Sequence, residues 1–287
     1  MYLKHFGLKK NPFTLTPNTE FGCNFSGHQE ALNVLLYGLH SGEGIIKIIG
    51  EVGSGKTFLC RELLNYLDKL FTVIYIPNPD LTSQELKNAI ARELKCDNAS
   101  DGDAVNHIFN KLFSARKKGK KVVAIIDEAQ ALTNESLETL RLLTNLETES
   151  EKLLQIVLFA QPELNERLKK YEFRQLNQRI AFSYTLIPLN CEEVEEYISQ
   201  RLVKAGHKNG RLFERDAIQV LYRASGGIPR IINILCHKAL LASYGKGNKK
   251  VGRDVVKMAI KDSSGAVAWN YRRSHLCFAK RLFGFAV

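Results

Sequence analysis

Two stretches of this sequence carry residue types that could do chemistry on a phosphate. The first is GEVGSGKT, residues 50–57. It fills every required position of the pattern G-x-x-x-x-G-K-[ST]. Gly50, Gly53 and Gly55 let the backbone fold tightly, so that its N–H groups converge on phosphate oxygens. Lys56 brings positive charge to the β- and γ-phosphates, and Thr57 offers a hydroxyl to Mg²⁺. Glu51, Val52 and Ser54 fill the loop, and Phe58 follows it. All of these are candidate contacts to ATP, next to a helix N-terminus whose dipole favours an anion.

The second stretch is KKVVAIIDEAQAL, residues 120–132. Its apolar run reads as a strand that delivers two carboxylates to one end of a sheet, where ligands bind in open α/β folds. Asp127 would hold Mg²⁺, directly or through water. Glu128 would orient and deprotonate an attacking water as a general base. Neighbouring strand residues face opposite ways, so both carboxylates reach the site only if the strand ends before them. A turn through Ala129 and Gln130 meets that need. Asn78, at the end of the run FTVIYI, has two readings. It is a turn former between two prolines, or a polar group that hydrogen-bonds Glu128 and holds it from water until a signal arrives.

These groups need a scaffold. Apolar runs predict strands at 45–49, 71–76, 121–126, 153–160 and 180–187, with 71–76 beside 121–126. Helical periodicity predicts helices near 28–42, 56–70, 82–95, 103–118 and 134–146, and a short one near 162–170. Alternating strands and helices imply a parallel sheet covered on both faces. After Pro188 the pattern changes: 191–205, 213–224, 228–243 and 252–262 all read as helix. The expected organisation is an irregular lead-in over 1–27, an α/β nucleotide-binding domain over 28–189, a small all-α lid over 190–262 and a separate tail over 263–287.

The letters DEAQ also suggest a helicase box. About 160 residues follow Glu128, and they first complete the sheet. What remains is too short and too helical for a second motor domain. Three arginines fit another scheme, since phosphoryl transfer recruits arginine for charge in the transition state. Arg174 and Arg179 precede the last strand, and Arg230 follows a Gly-Gly-x-Pro turn in the helical part.

The order of the P-loop, IIDEAQ, LNQRI and GGIPRIIN resembles the AAA+ ATPases. More closely, FGLKKNPF, GEVGSGKT, IIDEAQAL, QIVLFAQPEL and GGIPRIINILC are similar to the ExeA/GspA secretion ATPase family. Within it they resemble the MSHA-type pilus biogenesis branch, the MshM-like ATPases. The resemblance covers roughly residues 1–262. It implies a P-loop NTPase (AAA+) domain with a helical lid, acting as a ring or other homo-oligomer. Arg179 would be the arginine finger that reaches a neighbour's γ-phosphate, and Arg230 the sensor-2 arginine. Gln161 falls at the sensor-1 position, where many AAA+ proteins have Asn, Ser or Thr. Pro12 and Phe13 would line the adenine pocket. The implied function is ATP hydrolysis that assists a pilus or secretion machine, with inner-membrane assembly proteins as partners. Larger family members continue into a membrane span and a cell-wall-binding domain, and the matching motifs carry neither over.

Composition adds a partner question. Residues 203–287 carry 17 Lys and Arg against 4 Asp and Glu, whereas residues 1–202 carry 24 against 26. An excess confined to one third of a chain suits an acidic partner: nucleic acid, anionic lipid or an acidic protein surface. In 266–287 aromatics alternate with arginine and lysine, which suits a membrane interface or single-stranded nucleic acid. A DNA-binding AAA+ switch of the transposition-helper type is therefore the alternative function. Six scattered cysteines without a C-x-x-C pair imply reduced thiols. The N-terminus lacks a signal-peptide core, and no apolar run approaches the roughly 18 residues of a membrane span. The expected location is cytoplasmic, with peripheral contact at the inner membrane.

Overall fold

The computed structural model describes residues 2–14, 25–67, 71–96, 104–148 and 151–263. The chain divides into two compact units. One is Ser26–Ile187; the other joins the amino-terminal segment to the chain from Pro188 onward.

The amino-terminal segment carries one short helix, α1 (Tyr2–His5). The α/β unit then runs through α2 (Ser26–Ser41), β1 (Ile45–Ile49), α3 (Lys56–Tyr66), β2 (Phe71–Ile76), α4 (Ser83–Glu93) and α5 (Ala104–Lys117). It continues with β3 (Lys121–Ile126), α6 (Asn134–Leu143), β4 (Gln155–Ala160), α7 (Pro162–Leu168), α8 (Arg174–Gln178) and β5 (Ile180–Thr185). The five strands form one parallel sheet in the order β2-β3-β4-β1-β5.

The apolar runs behave as strands of a doubly covered sheet should. Every residue of β1 and β4 is buried. Ile45, Ile49, Ala124, Ile126, Ile156 and Leu158 share a core on one face. Ile46, Ile48, Val123, Ile125, Val157 and Phe159 share a core on the other. Only β5, at the sheet edge, alternates half-buried with exposed residues. Helices α4 and α6 start at threonines, Thr82 and Thr133, whose hydroxyls accept from backbone N–H groups three residues on.

The strands lie where the apolar runs predict, with two trimmed ends. β4 starts at Gln155 rather than 153, because Leu153 N turns back to donate to the Leu146 carbonyl at 3.0 Å. β5 ends at Thr185 rather than 187; Leu186 N still donates to the Ile49 carbonyl, and Pro188 has no N–H to continue the ladder. The five-residue α8 was not expected, since five residues are too few to show a helical period.

The second unit is all helical: α9 (Cys191–Lys204), α10 (Arg215–Ser225), α11 (Pro229–Gly245) and α12 (Arg253–Lys261). Asn190 and Glu193 form a capping box at the start of α9. The two glycines after α10 both take left-handed backbone. At Gly227 (φ +75°) a Cβ would lie 1.9 Å from the Leu189 carbonyl oxygen, so this turn admits no side chain.

The amino-terminal segment, expected as a separate irregular lead-in, instead carries α1. It delivers Phe6, Leu8, Phe13 and Phe25 into the core of the helical unit, beside Val194, Leu221 and Leu235. The Pro12 carbonyl accepts a 2.6 Å hydrogen bond from buried Arg201, and Phe13 meets Phe213 edge-on. The expected tail over 263–287 lies outside the described residues beyond Ser263. Among the described residues no helix is long and apolar enough to cross a membrane, and no disulfide joins Cys60, Cys96, Cys191 and Cys236.

Candidate nucleotide site

The loop after β1 has the conformation its glycines imply. Gly53 (φ +80°) and Gly55 (φ +102°) occupy left-handed backbone. At Gly55 a Cβ would stand 2.5 Å from His28 Nε2, and at Gly50 one would stand 2.5 Å from Ser54 Oγ. Lys56 opens α3 and is buried. Its ammonium donates to the carbonyls of Gly50 at 2.8 Å and Glu51 at 3.1 Å. Burial pulls its pKa down, and the carboxylates of Glu128, Asp127 and Glu163 oppose that shift.

The strand that carries the carboxylates ends where both can reach the same edge. β3 stops at Ile126, and Asp127 N donates to the Ile76 carbonyl of the neighbouring strand. Asp127 is buried and accepts from Glu128 N at 2.9 Å and from the Thr57 hydroxyl. Burial raises its pKa, while those two hydrogen bonds and the Lys56 charge act the other way. Glu128 adopts φ +51°, ψ +37°. That left-handed step, uncommon for a residue with a Cβ, turns its side chain out of the strand's alternation. A single 3₁₀ turn, Ala129–Ala131, follows.

Glu128 is held by two amides. Its Oε2 accepts from Gln130 Nε2 at 2.5 Å and from Gln161 Nε2 at 3.1 Å. Gln161 is the cap residue of α7, and its backbone N donates to Gln130 Oε1 at 3.0 Å. Gln130 was read only as a turn former, and nothing local distinguishes it. Its partner stands 31 residues away and reaches it because β4 lies beside β3. Asn78 is exposed, just beyond β2, and is not among these partners of Glu128.

His28 is a second residue the sequence reading passed over. It sits at the start of α2, and its Nε2 donates to the Ser54 carbonyl at 3.1 Å. Its ring also meets Phe58 edge-on at 6.4 Å. Val52 is half exposed on the loop.

The arginines stand apart. Arg179 caps α8 just before β5, and its Nη1 lies 3.5 Å from Thr144 Oγ1. Ile180 pairs with Ile45, so Arg179 is at the amino edge of the sheet, opposite the P-loop. Arg174 lies over the Tyr171 ring at 5.1 Å. Arg230 is exposed in the first turn of α11, in the helical unit, as Pro12 and Phe13 are in its core.

The groups at the carboxyl edge suit a nucleoside triphosphate and a hard dication. Ser54 Oγ is buried without a hydrogen-bond partner. Thr57 with Asp127 offers only oxygen donors, the set that magnesium prefers.

A family model described as an AAA domain matches residues 39–168. The matched stretch lies within the α/β unit. Over 268 residues the chain is 41% identical to general secretion pathway protein A of Aeromonas hydrophila, a match that covers 92% of this chain and 49% of that protein. The chain is thus a homologue of a secretion-pathway protein and spans about half of that relative's length. Among solved structures, the ORC2 protein of Aeropyrum pernix matches at TM-score 0.62 and 16% identity, over 86% of this chain and 72% of the other. Cdc6p of Pyrobaculum aerophilum matches at TM-score 0.63 and 18% identity, over 86% and 71%. The RuvB branch migration motor of Thermotoga maritima matches at TM-score 0.56 and 17% identity, over 83% and 69%. These likenesses establish the fold: a parallel α/β sheet of the P-loop type followed by a helical part.

Proposed function

We propose that this chain is an ATP-hydrolysing AAA+ switch or motor that assists assembly of a type II secretion machine or an MSHA-type pilus. It would act from the cytoplasm at the bacterial inner membrane. The observation that carries the ATPase reading is the meeting of Lys56, Thr57, Asp127 and Glu128 at one edge of the sheet. The identity to general secretion pathway protein A supports the secretion context.

In this reading the loop amides from Gly50 to Thr57 and the Lys56 ammonium bind the phosphates. Thr57 and Asp127 would hold magnesium, which would offset the charge of the phosphates. Glu128 takes the proton from the attacking water. Arg179 sits at the opposite edge of the sheet and acts on the nucleotide of a neighbour in a homo-oligomeric ring. Arg230 serves as sensor 2, Gln161 as sensor 1, and Asn78 as a further polar contact that holds Glu128 from water until a signal arrives. Pro12 and Phe13 bound the adenine. The basic excess of 203–287 engages the inner-membrane assembly proteins or the anionic membrane surface itself.

The test is ATP turnover with and without magnesium, for the wild type and Glu128→Gln. Secretion or pilus assembly in a strain carrying Lys56→Ala is measured alongside. No wild-type turnover would refute the ATPase reading, and turnover that ignores both magnesium and Glu128→Gln would refute the assigned site. Normal secretion and piliation with Lys56→Ala would refute the assembly role.

The 17-to-4 charge imbalance of residues 203–287 favours one second reading, a DNA-binding switch of the transposition-helper type. Binding through phosphates must weaken steeply with salt. DNA-stimulated turnover with such a slope supports it, and no DNA retention at low salt removes it.

A further inference from the structure

We infer that Gln130 is the positioning residue for Glu128: its side-chain amide fixes the carboxylate by Oε2 and leaves Oε1 to take the proton from water. The inference rests on the reading of Glu128 as general base.

Both ends of the Gln130 amide are used. Nε2 donates to Glu128 Oε2 at 2.5 Å, and Oε1 accepts from Gln161 N at 3.0 Å. The Gln130 backbone carbonyl accepts from Arg167 Nη1 at 2.9 Å, and Arg167 Nη2 donates to Asn134 Oδ1 at 2.8 Å. The group that orients Glu128 is therefore held at its side chain and at its backbone. Its holders belong to α7, and α7 is tied to β1, where buried Lys47 donates to Asn165 Oδ1 at 2.7 Å. Gln130, Gln161 and Glu128 close a ring of three hydrogen bonds, both amides meeting on the same carboxylate oxygen.

Such a ring does what a general base requires. A glutamate side chain is rotamer-rich, and ordering it costs about 1 kcal/mol or more. Here that ordering is made in advance by groups whose own rotamers are locked. Gln161 alone leaves Glu128 one longer contact at 3.1 Å, from a side chain whose carboxyl-side neighbours form α7. Gln130 stands two residues from Glu128 across the 3₁₀ turn, so the αL step at Glu128 is what brings the two side chains together.

The test uses the full chain. Gln130→Met keeps the volume and removes both side-chain hydrogen bonds. Gln130→Glu keeps the acceptor for Gln161 N and replaces the donor by a like charge. Misplacing a reacting group by about 1 Å can cost about 10²-fold. Both variants are therefore expected to lower kcat at least about tenfold, with KM for ATP within about twofold and an unchanged melting temperature. Glu128→Gln is measured alongside. If Glu128→Gln abolishes turnover while Gln130→Met keeps kcat within about twofold of wild type, or raises it, the positioning role is wrong and the base assignment stands. If both Gln130 variants lose ATP binding and thermal stability together, Gln130 is a structural residue and the inference is overturned. If Glu128→Gln itself keeps turnover, the base assignment falls and takes the inference with it.

Discussion

Arg179 and Gly50 lie at opposite ends of the same sheet. Arg179 directly precedes Ile180, whose register partner is Ile45; Gly50 directly follows Ile49, whose partner is Thr185. At about 3.3 Å per residue the strand separates the two by roughly 17 Å, farther than an arginine side chain extends. An arginine so placed meets phosphate only if the phosphate belongs to another copy.

Arg179→Ala should therefore keep ATP affinity and lose turnover by about 10³-fold or more, the scale of an arginine supplied in trans. Mixing Arg179→Ala with Glu128→Gln is the sharper measurement. Each variant alone is inactive, and the mixture is expected to regain turnover, because one protomer brings the arginine and the other the carboxylate. A mixture as inactive as its parts, in an assembly shown to contain both, would falsify action in trans.

Burial raises the Asp127 pKa, which ties the candidate metal site to stability. The folded state prefers the protonated acid. That contribution is present below the unfolded pKa and is lost as pH rises through the folded value. Asp127→Asn should stabilise the nucleotide-free protein at neutral pH, by about 2–4 °C for each kcal/mol in a chain of this size. The gain should vanish in acid. Melting curves at pH 7 and pH 4 check this, and a gain that persists unchanged in acid would point to packing instead.

The P-loop's dependence on glycine separates into two effects. Gly42 (φ +81°) and Gly55 (φ +102°) share the left-handed strain, but a Cβ at Gly42 meets nothing within 4 Å, whereas one at Gly55 meets His28. Both alanine substitutions should cost stability, about 1–2 kcal/mol from the backbone alone. Only Gly55→Ala should also displace the loop and abolish ATP binding, read by titration with a fluorescent nucleotide.

Much of this site was legible in the residues. GEVGSGKT declared its conformation because only glycine tolerates the backbone it needs, and IIDE declared a strand end because both carboxylates had to face one way. The partners of Glu128 were not legible. β3 has a neighbour on each side, and nothing local says whether β2, with Asn78, or β4, with Gln161, provides the contact; the side-chain hydrogen bond from Gln161 appears only in the folded chain. The lead-in was misjudged for a related reason. Phe6, Leu8 and Phe13 form no periodic pattern, and their burial comes from helices more than 180 residues later.

The cysteines make a separate test. Burial pushes the Cys60 thiol up to about 12, chiefly by desolvation with the Asp127 carboxylate adding to it, and pushes Cys236 well above its ordinary value. Alkylation needs thiolate and access. At pH 8 iodoacetamide should label half-buried Cys191 before Cys60 and Cys236, which it reaches only on unfolding, as peptide mass mapping would show. Rapid labelling of Cys60 in the folded protein would contradict the packing beneath the P-loop helix.

The helical unit is built from both sides of the α/β unit in the chain, and this sets an order of assembly on the ribosome. The domain over 26–187 is contiguous and can fold as soon as it emerges. Phe6, Leu8 and Phe13 are made first yet have nothing to pack against until α9 to α12 follow. At about 5–20 residues per second, that wait lasts on the order of ten seconds or more. Throughout it the apolar amino-terminal segment lacks the helices it packs against in the folded chain.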